Sequence, residues 1–304
     1  MKKYWRLFYL IFSSELIIAQ NYVDILKLNL STTPYNKFDT SSSKTKINQL
    51  DADVTIPIKL NSKLTLLSGF LYENFQTKLF ADGPVKNFGS IALKLGLNKT
   101  FNEHWIGTMV LLPKIASDFV SRSSNDFQYG VVALMKYKKS DHLNYKFGMY
   151  YNSELFGPFF VPMVGLYFLS ENKKFEANIM LPLNADANYK LTKFLNAGIN
   201  FNGQIRSYHL NHVTPSLPHT YVARSTNEFY AYLRFNFSES MMLQTKCGIS
   251  VARNFRVYEE NDKVNFGLPA TFIGQKRQQL NSDFSNGLIF QASFIYRVNF
   301  NKNK

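Results

Sequence analysis

The chain has 304 residues, of which 45% are hydrophobic and 18% charged, a balance typical of a folded protein. Aromatic residues are unusually frequent at 16%, and they favour strands and membrane interfaces over helices. The single cysteine, Cys247, excludes a disulfide framework and a Cys-based metal site. The formal charge of +14 comes from scattered Lys and Arg, so it argues against nucleic acid and for an anionic lipid or solute as the partner.

The first twenty residues have the pattern of a secretory signal peptide. Lys2, Lys3 and Arg6 precede an apolar stretch that runs to about Ile18, and Ala19 offers a small residue before a cleavage site. A short amphipathic helix is the alternative, since the stretch is too short to span a bilayer as a helix. We therefore predict a signal peptide at 1–20 and one mature domain at 21–304.

The mature domain consists of segments of about ten residues in which apolar and polar side chains alternate, a pattern typical of strands with two different faces. In the clearest segment, the even positions from Leu50 to Leu60 are apolar and the odd positions from Asp51 to Lys59 are mostly polar. We expect fourteen strands. If the segment around Pro182 is one irregular excursion, the count falls to twelve. The fourteen lie near 22–32, 46–60, 63–77, 88–98, 104–115, 126–138, 143–154, 159–169, 174–181, 184–190, 195–209, 226–238, 241–257 and 284–300.

The connections between these strands alternate between short turns and long polar loops, the longest of them near 210–225 and 258–283. An even strand count with this asymmetry is typical of bacterial outer-membrane barrels. Beyond residue 21 there is no apolar run long enough for a membrane helix. Apart from helices, a closed β-barrel is the architecture in which all backbone hydrogen bonds are satisfied within lipid. We predict an all-β fold, a single closed antiparallel transmembrane β-barrel at 21–304, with a soluble β-sandwich as the alternative.

Two stretches read as strand, short turn and strand. One runs from Lys94 to Trp105 and the other from Leu181 to Gly198. Together with a start that ends in Ala19 and Gln20, they resemble a family of uncharacterised outer-membrane β-barrel proteins, classed as a domain of unknown function. The resemblance covers most of the mature chain. It implies an outer-membrane location and a barrel fold, and it brings no catalytic residue.

The polar face of the predicted strands is more basic than acidic. Its acidic residues are Asp51, Asp53, Glu73 and Glu176. If the lumen is open, its field favours anions; the alternative is that these charges pair with one another and fill the interior. The eight basic candidates for the lumen lining are Lys59, Lys94, Lys136, Lys146, Arg206, Arg234, Lys246 and Arg297.

Three histidines, His209, His212 and His219, fall in or beside the predicted loop 210–225, with Ser207 and Ser216 nearby. Loop histidines are usually solvated, and their spacing permits a metal site without requiring one. We therefore expect no metal, no cofactor and no catalytic residue. A Ser–His lipid or ester hydrolase would have to use these residues, and it ranks last among the candidate functions.

Two functions rank above a hydrolase. The first is a pore or channel for small solutes, anionic ones in particular. The second is a plugged structural or binding barrel that acts through its long extracellular loops. The expected partners are outer-membrane lipid and lipopolysaccharide, the barrel-assembly machinery and small solutes, with no nucleic acid.

Overall fold

The computed structural model describes residues 22–214 and 217–299, which form sixteen β-strands and one short 3-10 helix. The predicted signal peptide at 1–20 lies outside the described residues and stays a prediction. The strands are β1 (Tyr22–Lys37), β2 (Lys44–Lys59), β3 (Leu64–Lys78), β4 (Val85–Thr100), β5 (Trp105–Ser117), β6 (Phe127–Lys138), β7 (Leu143–Glu154), β8 (Gly157–Leu169), β9 (Phe175–Leu181), β10 (Asn184–Lys190), β11 (Leu195–Thr214), β12 (Leu217–Asn236), β13 (Met241–Glu259), β14 (Phe266–Leu268), β15 (Thr271–Ile273) and β16 (Gly287–Asn299), and the 3-10 helix is Ser124–Asp126.

Fourteen of the strands, β1 to β13 and β16, close into one barrel. Each pairs antiparallel with the next along the chain, and β16 pairs with both β13 and β1. The pairing of β8 with β9 completes the ring. We call the end of the barrel with the short turns after β2, β4 and β6 the periplasmic or lower end, and the opposite end the extracellular or upper end. The two short strands β14 and β15 form a hairpin beside the upper end of β8. The prediction of an all-β, fourteen-stranded barrel is confirmed, and the segment around Pro182 is the tight turn between two separate strands.

The outer wall of the barrel carries a belt of exposed apolar side chains. On β2 the belt runs from Leu50 to Leu60, with Ile56 47% exposed. Ten residue steps of about 3.3 Å, tilted by about 40°, give a belt roughly 25 Å tall, the thickness that a bilayer requires. Aromatic residues collect at its lower edge, where the rings of Trp105 and Tyr137 lie 5.0 Å apart. A soluble sandwich would bury this face, so the structure rules out that alternative.

Within the described residues, no helix is both long and apolar enough to cross a membrane.

The predicted polar loop 210–225 is wrong. β11 continues to Thr214 and β12 begins at Leu217, so this region is the end of a long β-hairpin. Its upper part leaves the barrel wall. The pairing of β10 with β11 stops at Asn202, and further up the amide of Asp118, beside β5, donates to the carbonyl of His209 at 3.0 Å. We call residues 207–214 and 217–223 the inward hairpin.

Two buried clusters lie at the extracellular end, one on each side of the inward hairpin. Tyr208, Leu210 and Val222 belong to the first cluster, and Tyr221 belongs to the second. The other strands contribute the rest. The first cluster also contains Phe38, Ile47, Phe75, Leu79, Phe88, Ala116, Phe255, Val257 and Phe284, and the second Tyr150, Phe156, Phe159, Val161, Met163, Tyr258 and Val264.

Candidate functional site

The extracellular half of the lumen is filled by aromatic side chains that meet across it. The ring of Phe75 on β3 lies 5.7 Å from that of Tyr208 on β11 and 6.0 Å from that of Phe255 on β13. These three strands are not neighbours in the barrel wall, so the contacts span the lumen. All three side chains are at most 2% exposed. The side chains of the inward hairpin and the first cluster therefore fill this part of the lumen, and we call them together the seal.

The other face of the inward hairpin is polar and bonded to the opposite wall. Glu154 on β7 accepts hydrogen bonds from the amide of Ser207 at 2.6 Å and from its hydroxyl at 2.5 Å. Gln128 on β6 donates to the carbonyl of Ser207 at 3.1 Å. The ring of His209 bonds to Asp126 at 2.7 Å through Nδ1. Since these groups are buried, each bond compensates for the loss of water, and together they fasten the seal.

The histidines do not form the solvated loop cluster that the sequence suggested. His209 is 1% exposed, because its strand is covered on both faces. His219 is exposed and lies 3.8 Å from Glu260, while the side chain of His212, like Ser216, lies outside the described residues. Among the residues described, no three His, Cys, Asp or Glu side chains are grouped to hold a metal ion. Ser207 and His209 bond to different carboxylates, which is not the relay that a hydrolase needs.

A cavity of about 180 Å³ lies directly below the seal. Arg206 reaches into it, donates to the hydroxyl of Tyr150 at 2.7 Å and lies 3.9 Å from Glu73. Lys114 lines the same cavity and stands 3.5 Å from Glu154. The charges at this level therefore occur as pairs between strands, which is the arrangement expected for a filled interior.

A second cavity of about 290 Å³ occupies the periplasmic half. Arg297 forms a two-bond pair with Asp24 at 2.6 and 3.3 Å. Arg234 lies 3.8 Å from Asp186, and Lys246 donates to Asn200 at 2.9 Å. This cavity is more polar and roomier than the one above it, and it is the part of the lumen best able to hold water or a small solute.

A hydrogen bond crosses the periplasmic end of this cavity. The hydroxyl of Tyr22 on β1 donates to Glu176 on β9 at 2.6 Å, and these strands lie on opposite sides of the barrel. The guanidinium of Arg297 stacks on the ring of Tyr22, 3.4 Å from its centroid. The lower lumen is therefore narrow as well as charged.

The remaining basic candidates lie along the same inward rows. Lys94 bonds to Asp53 and to Thr55, the latter at 2.7 Å. Lys146 donates to Asn178 at 2.6 Å, and Lys136 stands opposite it across the β6–β7 pair. Lys59 is opposite Thr65 near the periplasmic end of β2. Whether the eight basic residues guide an anion stays a prediction.

Several charged residues of the interior are not among the eight basic and four acidic residues that the sequence predicted there. Arg224 is 2% exposed, stacks on Phe75 and lies 3.4 Å from Glu228. It was assigned to the loop 210–225, so its position in the barrel went unnoticed. Asp24, Glu154 and Asp186 were also missed. For Glu154, Asp186 and Arg224 the signal is the alternation itself, extended to the strand ends. For Asp24 alternation gives the wrong face, because the register of β1 shifts between Asp24 and Leu26.

Comparison with known proteins identifies a family and no activity. The model of the family described as Domain of unknown function (DUF6268) matches residues 16–297. No curated protein sequence matches this chain. The family match confirms the resemblance seen in the sequence, and the closed barrel with its apolar wall is an outer-membrane protein.

Solved structures with a similar course of the chain include a channel, a porin and a transporter. An outer membrane channel from Pseudomonas putida F1 has a TM-score of 0.46 and 10% identity, covering 94% of this chain and 98% of that one. The NanC porin has a TM-score of 0.34 and 8% identity, covering 90% and 100%. The Pseudomonas putida toluene transporter TodX has a TM-score of 0.38 and 9% identity, covering 91% and 89%. At these TM-scores the similarities say nothing about what this chain transports.

Proposed function

This chain belongs to the family described as Domain of unknown function (DUF6268), and on that premise we propose that it is a plugged outer-membrane barrel, closed at rest, that acts through its extracellular surface. The observation that carries the proposal is the inward hairpin. It fills the upper lumen with Tyr208, Leu210 and Val222, all at most 1% exposed, and bonds to the opposite wall through Ser207 and His209.

The seal is costly to open. Burial of a large apolar side chain contributes about 1.5–3 kcal/mol, and the hairpin buries three of them in the first cluster. Lifting it would also break the bonds of Glu154 to Ser207 and of Asp126 to His209. Leaving such buried groups unpaired costs about 1–3 kcal/mol each. The closed state is therefore the resting state, and a spontaneous opening is rare.

A second candidate is a gated passage for small anions. The observation in its favour is the pair of charged cavities below the seal, lined by Arg206 above and by Arg234, Lys246 and Arg297 below. A solute that entered from the periplasm would meet this basic lining before it met the hairpin. On this reading the hairpin is a gate, and its displacement would connect the cavities to the outside.

The test is single-channel conductance of the refolded protein in a planar bilayer. The native chain is expected to give no steady current. In the test variant an Asn-Gly turn replaces residues 207–223 and joins Arg206 to Arg224, which are direct cross-strand partners. This variant keeps the strand register, loses the seal and is expected to conduct steadily. Replacing the exposed loop 39–42 by the same Asn-Gly turn is the matched control and is expected to stay silent.

Steady conductance by the native chain would refute the plugged barrel. A heat-modifiable hairpin variant that stays silent even when Tyr22→Ala removes the hydrogen bond across the lower lumen would show that the hairpin is not the plug. Rare openings of the native chain would separate the two candidates. In a Cys247→Ser background, Ser117→Cys and His209→Cys place a disulfide where the two backbones pair. The gate is established if the openings of this double-cysteine variant vanish on oxidation and return with reductant. The current through them must also be carried mainly by anions, as read from the reversal potential in a salt gradient.

A further inference from the structure

On the outer wall of β1 to β4, the outward side chains change in character from the upper end downward. Lysines come first, then side-chain amides, then apolar residues. Lys46 and Lys78 lie one rung above Asn48 and Gln76, which are cross-strand partners. The next rung down carries Leu30 and Leu50, again cross-strand partners. These side chains point outward, since their neighbours along the strands are buried inside the barrel, Thr45, Ile47, Phe75 and Thr77 among them.

The three levels line two adjoining grooves. The upper groove holds about 310 Å³ and is lined by Lys44, Lys46 and Lys78. The lower groove holds about 450 Å³ and is lined by Leu30, Leu50 and Asn87. Asn48 and Gln76 line both grooves and are hydrogen-bonded to each other at 3.3 Å. We call Lys44, Lys46, Lys78, Asn48 and Gln76 the rim site.

The height of the rim site matches the headgroup layer of the outer leaflet. The apolar belt on β2 ends at Leu50, and Lys46 lies four residues further toward the extracellular end. Four strand residues rise about 13 Å along the strand, or roughly 10 Å along the membrane normal once tilt is included. A lipid whose chains cover Leu30 and Leu50 would therefore place its headgroup between the amides and the lysines.

The positive charge of the rim site is uncompensated and local. Among the described residues, none of Lys44, Lys46 and Lys78 forms a salt bridge, and the ammonium of Lys44 lies over the ring of Tyr35 at 5.9 Å. Several other upper strand ends on the wall are apolar or aromatic and exposed, as at Ile115, Phe127, Tyr129 and Leu288. Arg256, at the upper end of β13, is paired with Asp283 at 2.6 Å. The sheet thus concentrates its outward cations on one side, at the level where lipid phosphates lie.

We propose that the rim site binds the phosphate-bearing headgroup of an outer-leaflet glycolipid. The three ammonium groups pair with a phosphate, and the amides of Asn48 and Gln76 bond to the sugar or to the amide linkages of the acyl chains. The chains themselves lie over Leu30 and Leu50. This site is on the lipid side of the wall, so it does not depend on whether the lumen is plugged or gated.

The test measures lipid retention by the refolded protein in native mass spectrometry, with lipid A carrying two phosphates as the probe. The variant Lys44→Gln, Lys46→Gln, Lys78→Gln is expected to weaken binding about fivefold for each lysine removed. A matched control removes three exposed lysines at the periplasmic end, Lys63→Gln, Lys99→Gln and Lys139→Gln, and is expected to bind as the native chain does. Heat modifiability checks that each variant is folded.

Three comparisons identify the ligand chemistry. Dephosphorylated lipid A should bind to the native chain as weakly as lipid A binds to the rim variant. If the native chain binds dephosphorylated lipid A as tightly as it binds lipid A, phosphate recognition is overturned. If phosphatidylglycerol binds to the native chain as tightly as lipid A does, the glycolipid assignment is overturned. If millimolar inorganic phosphate displaces lipid A from the native chain, the site binds free phosphate instead. Unchanged binding by the rim variant, or an equal loss in the control, would overturn the site itself.

Discussion

At the scale of single residues, Glu154 links the seal to the wall. It accepts from the amide and hydroxyl of Ser207 and from Asn152, and it lies 3.5 Å from Lys114, which is 5% exposed. Glu154→Gln removes the charge and leaves Lys114 buried beside a neutral partner. We expect the free energy of unfolding to fall by about 3 kcal/mol, because removing one partner of a buried pair leaves an uncompensated charge. Urea unfolding of the refolded barrel measures it.

Three further variants, Glu103→Gln, Lys114→Gln and the double variant Lys114→Gln, Glu154→Gln, separate this ion pair from a general packing defect. Glu103→Gln, in the exposed turn before β5, should change the free energy of unfolding by less than about 0.5 kcal/mol. Adding Lys114→Gln to Glu154→Gln should recover part of the lost stability, since no unpaired charge remains. A double variant as unstable as the sum of the two single ones would contradict the pairing of these residues.

At the scale of elements, the inward turn of the hairpin coincides with a bulge in the neighbouring strand. β12 and β13 lose register between Ser225 and Asn227, opposite Ala252, whose φ is 50°. An alanine in the left-handed region is strained by about 1 kcal/mol, and glycine is not. Ala252→Gly is expected to raise the free energy of unfolding by up to about 1 kcal/mol, and Ala252→Val to lower it by a similar amount.

Ala231→Gly is the control for the bulge, because Ala231 lies in a regular part of β12 opposite Cys247. A glycine there should lower the free energy of unfolding by about 0.5–1 kcal/mol, as in any strand interior. If both glycine variants are destabilising by the same amount, Ala252 is not a strained position and the bend has another cause.

The strands that face lipid could be predicted from the sequence, whereas the inward hairpin could not. A lipid-facing strand must present apolar residues at every second position, and the predicted segment 184–190 coincides with β10 for that reason. The inward hairpin meets protein on both faces. Tyr208 and Leu210 face one cluster, and Ser207 and His209 face the polar wall. The alternation of Tyr208 and Leu210 with Ser207 and His209 is the pattern of a strand with two different faces, but the same pattern fits a strand in the wall, so it does not predict that this hairpin turns into the lumen.

For the whole molecule, strand parity predicts which side chains face inward, but it cannot predict which of them meet. Arg206 on β11 bonds to Tyr150 on β7, and Tyr22 on β1 bonds to Glu176 on β9. Such partners are distant in sequence and lie on strands that are not neighbours, so they depend on how the closed barrel brings its opposite walls together. An excess of basic residues in the sequence was thus compatible both with an open anion path and with a filled, paired interior.

The even number of strands places both ends of the barrel on one side of the membrane, and the short turns on that side identify it as the periplasm. With both ends of the barrel in the periplasm, the loops after β1 and β3 are extracellular and the turns after β4 and β8 are periplasmic. In a Cys247→Ser background, a membrane-impermeant maleimide should label Ser42→Cys and Asp82→Cys in intact cells. Glu103→Cys and Glu171→Cys, equally exposed in the structure, should react only after the outer membrane is permeabilised. The reverse pattern would invert the barrel and place the inward hairpin at the periplasmic end.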